Sequence, residues 1–384
     1  MSHCSTVFSQ ILKIIPRHEF ETLAKKYHTG RSFRTASRWS QFVTMALGQL
    51  SGRNSLRDII DNVAAQSHRL YHLGSTKLSR SNLSRINESK SYKLYEELFG
   101  ILLNRCKSVS PKHKFRFKNS LYSLDASTVD LCLSVFPWAD FRKTKGAIKL
   151  HVGLNHDGLI PEFIMVTEGK THDVKIGRIL NFPKGSIIAI DKGYNDYTWY
   201  KQLTDNGIFF VTRLKVNAKF DVVSQRIITA NKGIISDEII VFTGKITAQK
   251  CPIQLRRVVY KDAVTNKRYV FLTNNLKLAA RTIANIYKSR WQVELFFKWI
   301  KQHLKIKSFV GTSKNAVLTQ IWIALCMYLV LSLIKFQSKF KKSMYQVLCL
   351  LQLNLFEKRD LMALLRGEPI RGVCLSDKRQ MVLL

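Results

Sequence analysis

The chain has 384 residues, 62 of them Lys or Arg against 26 Asp or Glu, for a net charge of +36. A cationic excess spread along the whole chain repels itself unless a polyanion offsets it, so it points to an extended DNA or RNA footprint rather than a membrane-docking patch. Seven cysteines with no C-x-x-C pair exclude a zinc site or a disulfide framework and fit a reduced cytosolic protein.

Hydrophobic residues make up 46% of the chain, ample for sizeable cores, and the length predicts two to four domains or subdomains. Met1 to Lys13 has no long apolar run after a basic start, so no signal peptide is expected. Residues 1–118 read as helices and form a candidate DNA-binding domain. "SRWSQFVTMALGQL" (37–50) has apolar residues at helical spacing, and "SLRDIIDNVAAQ" (55–66) follows a turn signal. In "KLSRSNLSRINESK" (77–90) small polar residues alternate with Arg80, Arg85 and Lys90, a composition suited to a helix in a DNA groove or to a solvated helix face. "SVSPKHKFRFKNS" (108–120) is a basic linker.

The pattern then changes. "SLYSLDASTVDLCL" alternates as a strand, and "GAIKLHVGLNHDGLIPEFIMVTEG" reads as a hairpin turning at Asn155 to Gly158. A short helix, a buried strand ending at Asp191, a helix and the strand "IFFVTRLK" follow. These elements predict a mixed sheet covered by helices, an α/β core whose first part is 119–215. Residues 216–275 are strand-like and read as a β-rich insertion. Residues 276–335 complete the core and 336–384 form a helical C-terminal region. The run "IWIALCMYLVLSLI" (321–334) is shorter than the ~20 residues a bilayer span needs, so it reads as a buried core helix and no membrane partner is expected.

"YKSRWQVELFFKWIK" (287–301) reads as one amphipathic helix with a single acid, Glu294, among cations. A surface ladder of Arg290, Glu294 and Lys298 is the plain explanation, at ~0.2–0.5 kcal/mol per pair. Asp125 and Asp191 alter the balance, because both interrupt apolar strand runs, and a buried carboxylate needs a partner or a metal. Three convergent carboxylates resist ionising together, and hard divalent cations such as Mg²⁺ relieve the repulsion through oxygen ligands. Asp130 should point to the opposite sheet face. Asp157 is a turn residue, Asp173 and Asp196 read as helix starts, and His172 and His303 as local hydrogen-bonding groups.

The spacing of Tyr287, two residues, Arg290, three residues, Glu294, six residues and Lys301 resembles the Tyr-Arg-Glu-Lys signature of bacterial insertion-sequence transposases of the DDE superfamily. "LDAS" around Asp125, "IDKGYND" around Asp191 and "FVTRLK" are similar to motifs of the same family. The resemblance covers roughly residues 121–333. It implies a ribonuclease-H-like catalytic core, two Mg²⁺ ions (Mn²⁺ as substitute) held by Asp125, Asp191 and Glu294, and DNA contacts from Tyr287, Arg290, Lys301 and Arg213. Trp291 would stack on a displaced base or simply pack. The partners implied are double-stranded DNA, at the element ends and the target, and a second subunit forming a homodimer on DNA. The expected setting is the bacterial cytoplasm, at the nucleoid. Two further readings use the same features: a nuclease that cuts without joining, and a DNA-binding repressor or architectural protein without chemistry. The second leaves the three acids without a purpose.

Overall fold

In the computed structural model, which describes residues 5–28, 30, 33, 36–142, 145–228, 233–306 and 308–369, serine or threonine caps four of the seven N-terminal α-helices. The seven are α1 (Val7–Lys13), α2 (Arg17–Lys26), α3 (Arg38–Leu50), α4 (Leu56–Ala65), α5 (Ser67–Leu70), α6 (Arg80–Ser89) and α7 (Lys93–Val109). Thr6, Ser37, Ser55 and Ser79 each accept a hydrogen bond from the backbone N–H three residues on, satisfying a donor the first turn leaves open. Every residue of α3 is buried. Its Gln41 is matched inside the core by Asn87 at 2.6 Å and Tyr95 at 2.9 Å.

Among the described residues the strands join one ten-stranded sheet. They are β1 (Leu121–Leu131), β2 (Asp140–Arg142), β3 (Lys145–Asn155), β4 (Ile160–Glu168), β5 (Ile187–Ile190), β6 (Phe209–Arg213), β7 (Phe220–Gln225), β8 (Ile234–Phe242), β9 (Leu255–Lys261) and β10 (Arg268–Thr273). Their order is β2-β3-β1-β5-β6-β10-β9-β8-β7, with β4 also paired to β3. The β1–β5 and β5–β6 pairs are parallel and the others antiparallel, so the sheet is mixed as expected. The β3–β4 turn falls on His156 to Leu159, one residue later than read from sequence because Asn155 still pairs with Ile160; within it Gly158 takes φ +70° and a Cβ would press 2.7 Å from Phe336. The strand-rich stretch 216–275 extends this same sheet, because β10 pairs with β6.

The remaining helices are α8 (Asp173–Ile179), α9 (Tyr197–Asp205), α10 (Lys245–Lys250), α11 (Ala280–Ser289), α12 (Trp291–His303), α13 (Lys314–Gln337), α14 (Met344–Asn354) and α15 (Leu361–Arg366). The two-residue strand period sorts β1 between the sheet faces. Tyr122 and Leu124 join Trp199 and Leu203 of α9. Leu121 meets Ile283 and Ile286 of α11, and Val129 and Leu131 share a core with α12 and α13. That last core also takes in residues of α1, α2, α3 and α7, so the N-terminal helices and the second half of the chain bury one continuous apolar surface.

α13 is 24 residues long, ten beyond the apolar run read from sequence. By length and composition it could cross a membrane, yet its apolar window is wholly buried inside the protein. Of the C-terminal region, residues 370–384 lie outside the described residues.

Candidate active site

The parallel β1–β5 register, with Leu124 beside Ile190, sets Asp125 and Asp191 at adjoining positions. Asp125 lies within β1 on the odd-numbered face that α11 and α12 cover, and its Oδ1 accepts from the Ala126 N–H at 2.8 Å. Asp191 follows the end of β5 and caps a 3-10 turn, Lys192–Tyr194, through the Gly193 N–H at 3.4 Å. Glu294 enters from the first turn of α12.

Residues 287–301 are not one continuous helix. α11 ends at Ser289 and α12 begins at Trp291, with Arg290 as the joint. Hydrogen bonds contract there to the i→i+3 pattern, from Arg290 N–H to Tyr287 and from Val293 N–H to Arg290. A single helical wheel through 287–301 therefore does not hold, and the joint turns Arg290 inward. Its guanidinium donates to Asp125 Oδ2 at 3.0 Å and Glu294 Oε1 at 2.6 Å, and stands 4.0 Å from Asp191 Oδ1. One cation thus sits among all three acids. Tyr287 donates its hydroxyl to Asp191 Oδ1 at 3.3 Å. Arg213, at the end of β6, approaches the same oxygen at 3.9 Å and lies over the Tyr287 ring.

Burial pushes the Asp125 carboxyl up to about 6. The adjacent Arg290 opposes that rise, while the Asp191 and Glu294 charges add to it. For Arg290, burial works against its charge, but Asp125 and the neighbouring oxygens outweigh it and raise the guanidinium above its ordinary value.

Lys301 lies about two turns after Glu294 along α12, and its ammonium donates to Ser127 Oγ and to the Thr128 carbonyl, both at 2.7 Å, tying α12 to β1. Arg80 and Arg85 belong to another surface. Arg80 lines a cleft of about 580 Å³ between α4 and α6 with Arg57, Ser55 and Ser81, and Arg85 holds Asn82 at 3.1 Å. Trp291 is 56% exposed. Asp130 is exposed, and Asp157 is bound in its turn by Lys112 and the His113 N–H. Asp196 caps α9 and pairs with Arg178 at 2.6 Å.

Two features near the acids had no usable sequence signal. Asp173 begins α8 as expected, but its carboxylate also reaches across to Lys149 of β3 at 3.1 Å. Tyr194 follows Asp191 by one turn. Its buried hydroxyl has no hydrogen-bond partner among the described residues, and burial together with Asp173, Asp125 and Asp191 pushes its phenol well up. Only the β1–β3 register and the turn after β5 bring these groups together.

Among the described residues no three carboxylate, imidazole or thiolate groups close around a common point. The donor set is nonetheless that of a hard divalent ion, carboxylate oxygens alone, and Arg290 stands where a cation neutralises them.

Comparison with known proteins gives this arrangement a family. Residues 116–330 match the profile described as "Transposase DDE domain", and residues 3–76 match a domain of unknown function, DUF4372. The chain is 32% identical over 292 residues to y4zB, a transposase candidate of Sinorhizobium fredii, covering 75% of this chain and 80% of that one. It is 27% identical over 271 residues to a transposase candidate for insertion sequence element IS5377 of Geobacillus stearothermophilus, covering 69% and 70%. A solved piggyBac transposase synaptic complex with hairpin DNA superposes with a TM-score of 0.44 at 12% identity, over 97% of this chain and 82% of that one. The profile spans more than half of the chain and the 32% identity covers most of a relative, so the chain belongs to the DDE transposases of insertion sequences, metal-dependent enzymes that cut and transfer DNA strands.

Proposed function

We propose that this transposase binds the ends of its own insertion sequence, cuts the phosphodiester at the element boundary and transfers the freed 3′-hydroxyl end to target DNA. Asp125, Asp191 and Glu294 would hold two Mg²⁺ ions, with Mn²⁺ as substitute. When bound, such ions supply activation of an attacking oxygen and neutralisation of the leaving one. The observation that carries the reading is the position of Arg290, bonded to two of the acids and 4.0 Å from the third.

The chain's own residues divide the remaining work. Arg290 exchanges carboxylates for the scissile phosphate, a planar donor fork suited to either anion. Arg213 and Tyr287 flank Asp191 and orient the same phosphate. Lys301 positions the site, holding α12 and β1 together through Ser127 and Thr128. The mixed sheet with helices on both faces supports a ribonuclease-H-like core for 119–215 and 276–335. Residues 1–118, with Arg80 and Arg85 on an exposed helix, read the element ends. A homodimer on DNA engages both ends, in the cytoplasm at the bacterial nucleoid.

The test uses Asp125→Asn, Asp191→Asn and Glu294→Gln in the full chain. Cleavage of an end duplex with Mg²⁺ is lost in each variant while DNA binding persists. A variant that still cuts near the wild-type rate removes that residue from the site. Failure of wild type to join pre-cut ends while still cutting would favour the nuclease without transfer.

A further inference from the structure

Between α7 and β1, residues 111–118 read "PKHKFRFK" and contain no acid. Lys112, Lys114, Arg116 and Lys118 are exposed, and the alternate residues His113, Phe115 and Phe117 turn inward. The inward set is a built feature. Phe115 and Phe117 stack at 5.1 Å and pack on the core beneath α11, and the His113 ring lies 5.0 Å from Phe117. His113 Nδ1 accepts from the Phe115 N–H at 3.3 Å and its Nε2 donates to the Asn119 carbonyl at 2.9 Å. Asn119 in turn donates to the Gly185 carbonyl. A segment without helix or strand is thereby held in one conformation, and the pinned rings force every second side chain outward.

Of the four outward cations, Lys112 pairs with Asp157 at 2.8 Å. Lys114, Arg116 and Lys118 pair with no carboxylate among the described residues. A free basic tail would pay ordering entropy on meeting a polyanion, whereas a braced row has already lost that freedom. Its repulsion is sustained in a chain already at +36, and phosphates would relieve it.

We infer that Lys114, Arg116 and Lys118 form a second DNA-binding track that grips duplex backbone phosphates without reading sequence. This rests on the transposase reading above. Lys118 lies seven residues before Asp125, so at about 3.3 Å per strand residue it stands roughly 20 Å from the acids. The track therefore holds a stretch of duplex away from the cleaved bond. Phosphate contacts of this kind fix register and add salt-dependent affinity without sequence information.

The experiment measures binding of the full-length protein to a random-sequence duplex, by fluorescence anisotropy, over a series of salt concentrations. Three proteins are compared: wild type, Lys114→Ser/Arg116→Ser/Lys118→Ser, and the charge-keeping Lys114→Arg/Arg116→Lys/Lys118→Arg. Each lost phosphate contact removes about 0.9 from the slope of log affinity on log salt, so the serine variant should lose about 2–3 from the slope and at least tenfold in affinity. Its melting temperature should match wild type, and the charge-keeping variant should keep the wild-type slope. An unchanged slope in the serine variant, with wild type binding steeply, overturns the track and leaves the transposase reading intact. Absence of salt-dependent DNA binding in wild type overturns both. A slope that falls only with an RNA duplex overturns the assignment to DNA.

Discussion

Replacing Arg290 by alanine tests whether one guanidinium neutralises the three acids. Arg290 and Asp125 have side chains 11% and 20% exposed, so their pair at 3.0 Å is largely shielded from solvent. Breaking a fully buried pair costs ~3–5 kcal/mol, because the remaining charge is stranded. Asp191 and Glu294 are 35% and 31% exposed, and solvent screens their share to less than ~1 kcal/mol each. Asp125 can also shed its charge by protonating, since its carboxyl already lies at about 6. A loss of about 2–3 kcal/mol at pH 8, and less at pH 5, is expected. At ~2.1 cal/mol/K per residue, unfolding this chain carries ~0.8 kcal/mol/K, so Tm should fall by about 3 °C at pH 8. The stranded carboxylates should then bind a divalent ion more tightly, and saturating Mg²⁺ should raise the Tm of Arg290→Ala more than that of wild type. Single-turnover cleavage should drop about a hundredfold, as the phosphate loses its clamp. Scanning calorimetry with and without Mg²⁺ is the measurement. Indistinguishable melting of variant and wild type, in both conditions, would refute the neutralising role.

Acid should destabilise the fold through two buried histidines. Burial holds His151 and His156 down at about 4, well below the ordinary value near 6.5. Between those values the unfolded chain binds more protons, so stability present above pH 6.5 is lost as pH falls towards 4, by about 2 kcal/mol per histidine at pH 5. Asp125, raised to about 6, acts in the opposite sense and recovers ~1.4 kcal/mol at pH 5. Urea melts from pH 7.5 to 5 should show a net loss of about 2–3 kcal/mol, reduced in His156→Asn, and a rise in stability would contradict the sign. Lys301→Ala should lower cleavage while leaving binding of the end duplex near wild type, because its ammonium bonds Ser127 and Thr128 and so ties α12 to β1; loss of binding with normal cleavage of bound DNA would make it a DNA contact instead. Arg80→Ala/Arg85→Ala should erase the preference for element ends over random duplex, checked by competition binding, and an unchanged preference would move sequence reading off α6.

Much of the candidate site was legible before folding because its signals are local. A strand interrupted by an acid needs only a few residues to be recognised, as in "LYSLDAS" and "IIAIDKG", and so does a helical spacing of cations around Glu294. The β3–β4 turn, the helix start at Asp196 and the buried run 321–334 likewise depend on side chains within a few positions of one another.

What could not be read is where distant elements meet. Nothing local foretells the joint at Arg290, whose inward turn adds a bond to Asp125 on β1 to the expected i,i+4 pair with Glu294. The bonds of Lys301 to Ser127 and Thr128 were unreadable for the same reason, since the side of α12 that meets β1 is set by packing against β1 and β3. Periodicity named strands in 216–275, but only the pairing of β10 with β6 made them part of the central sheet. Strand and helix periods are short-range steric rules, carried by each residue and its near neighbours. The partner of a buried charge, the register of a sheet and the depth of α3 follow from burying one shared apolar surface, a term that exists only once the whole chain has closed on it.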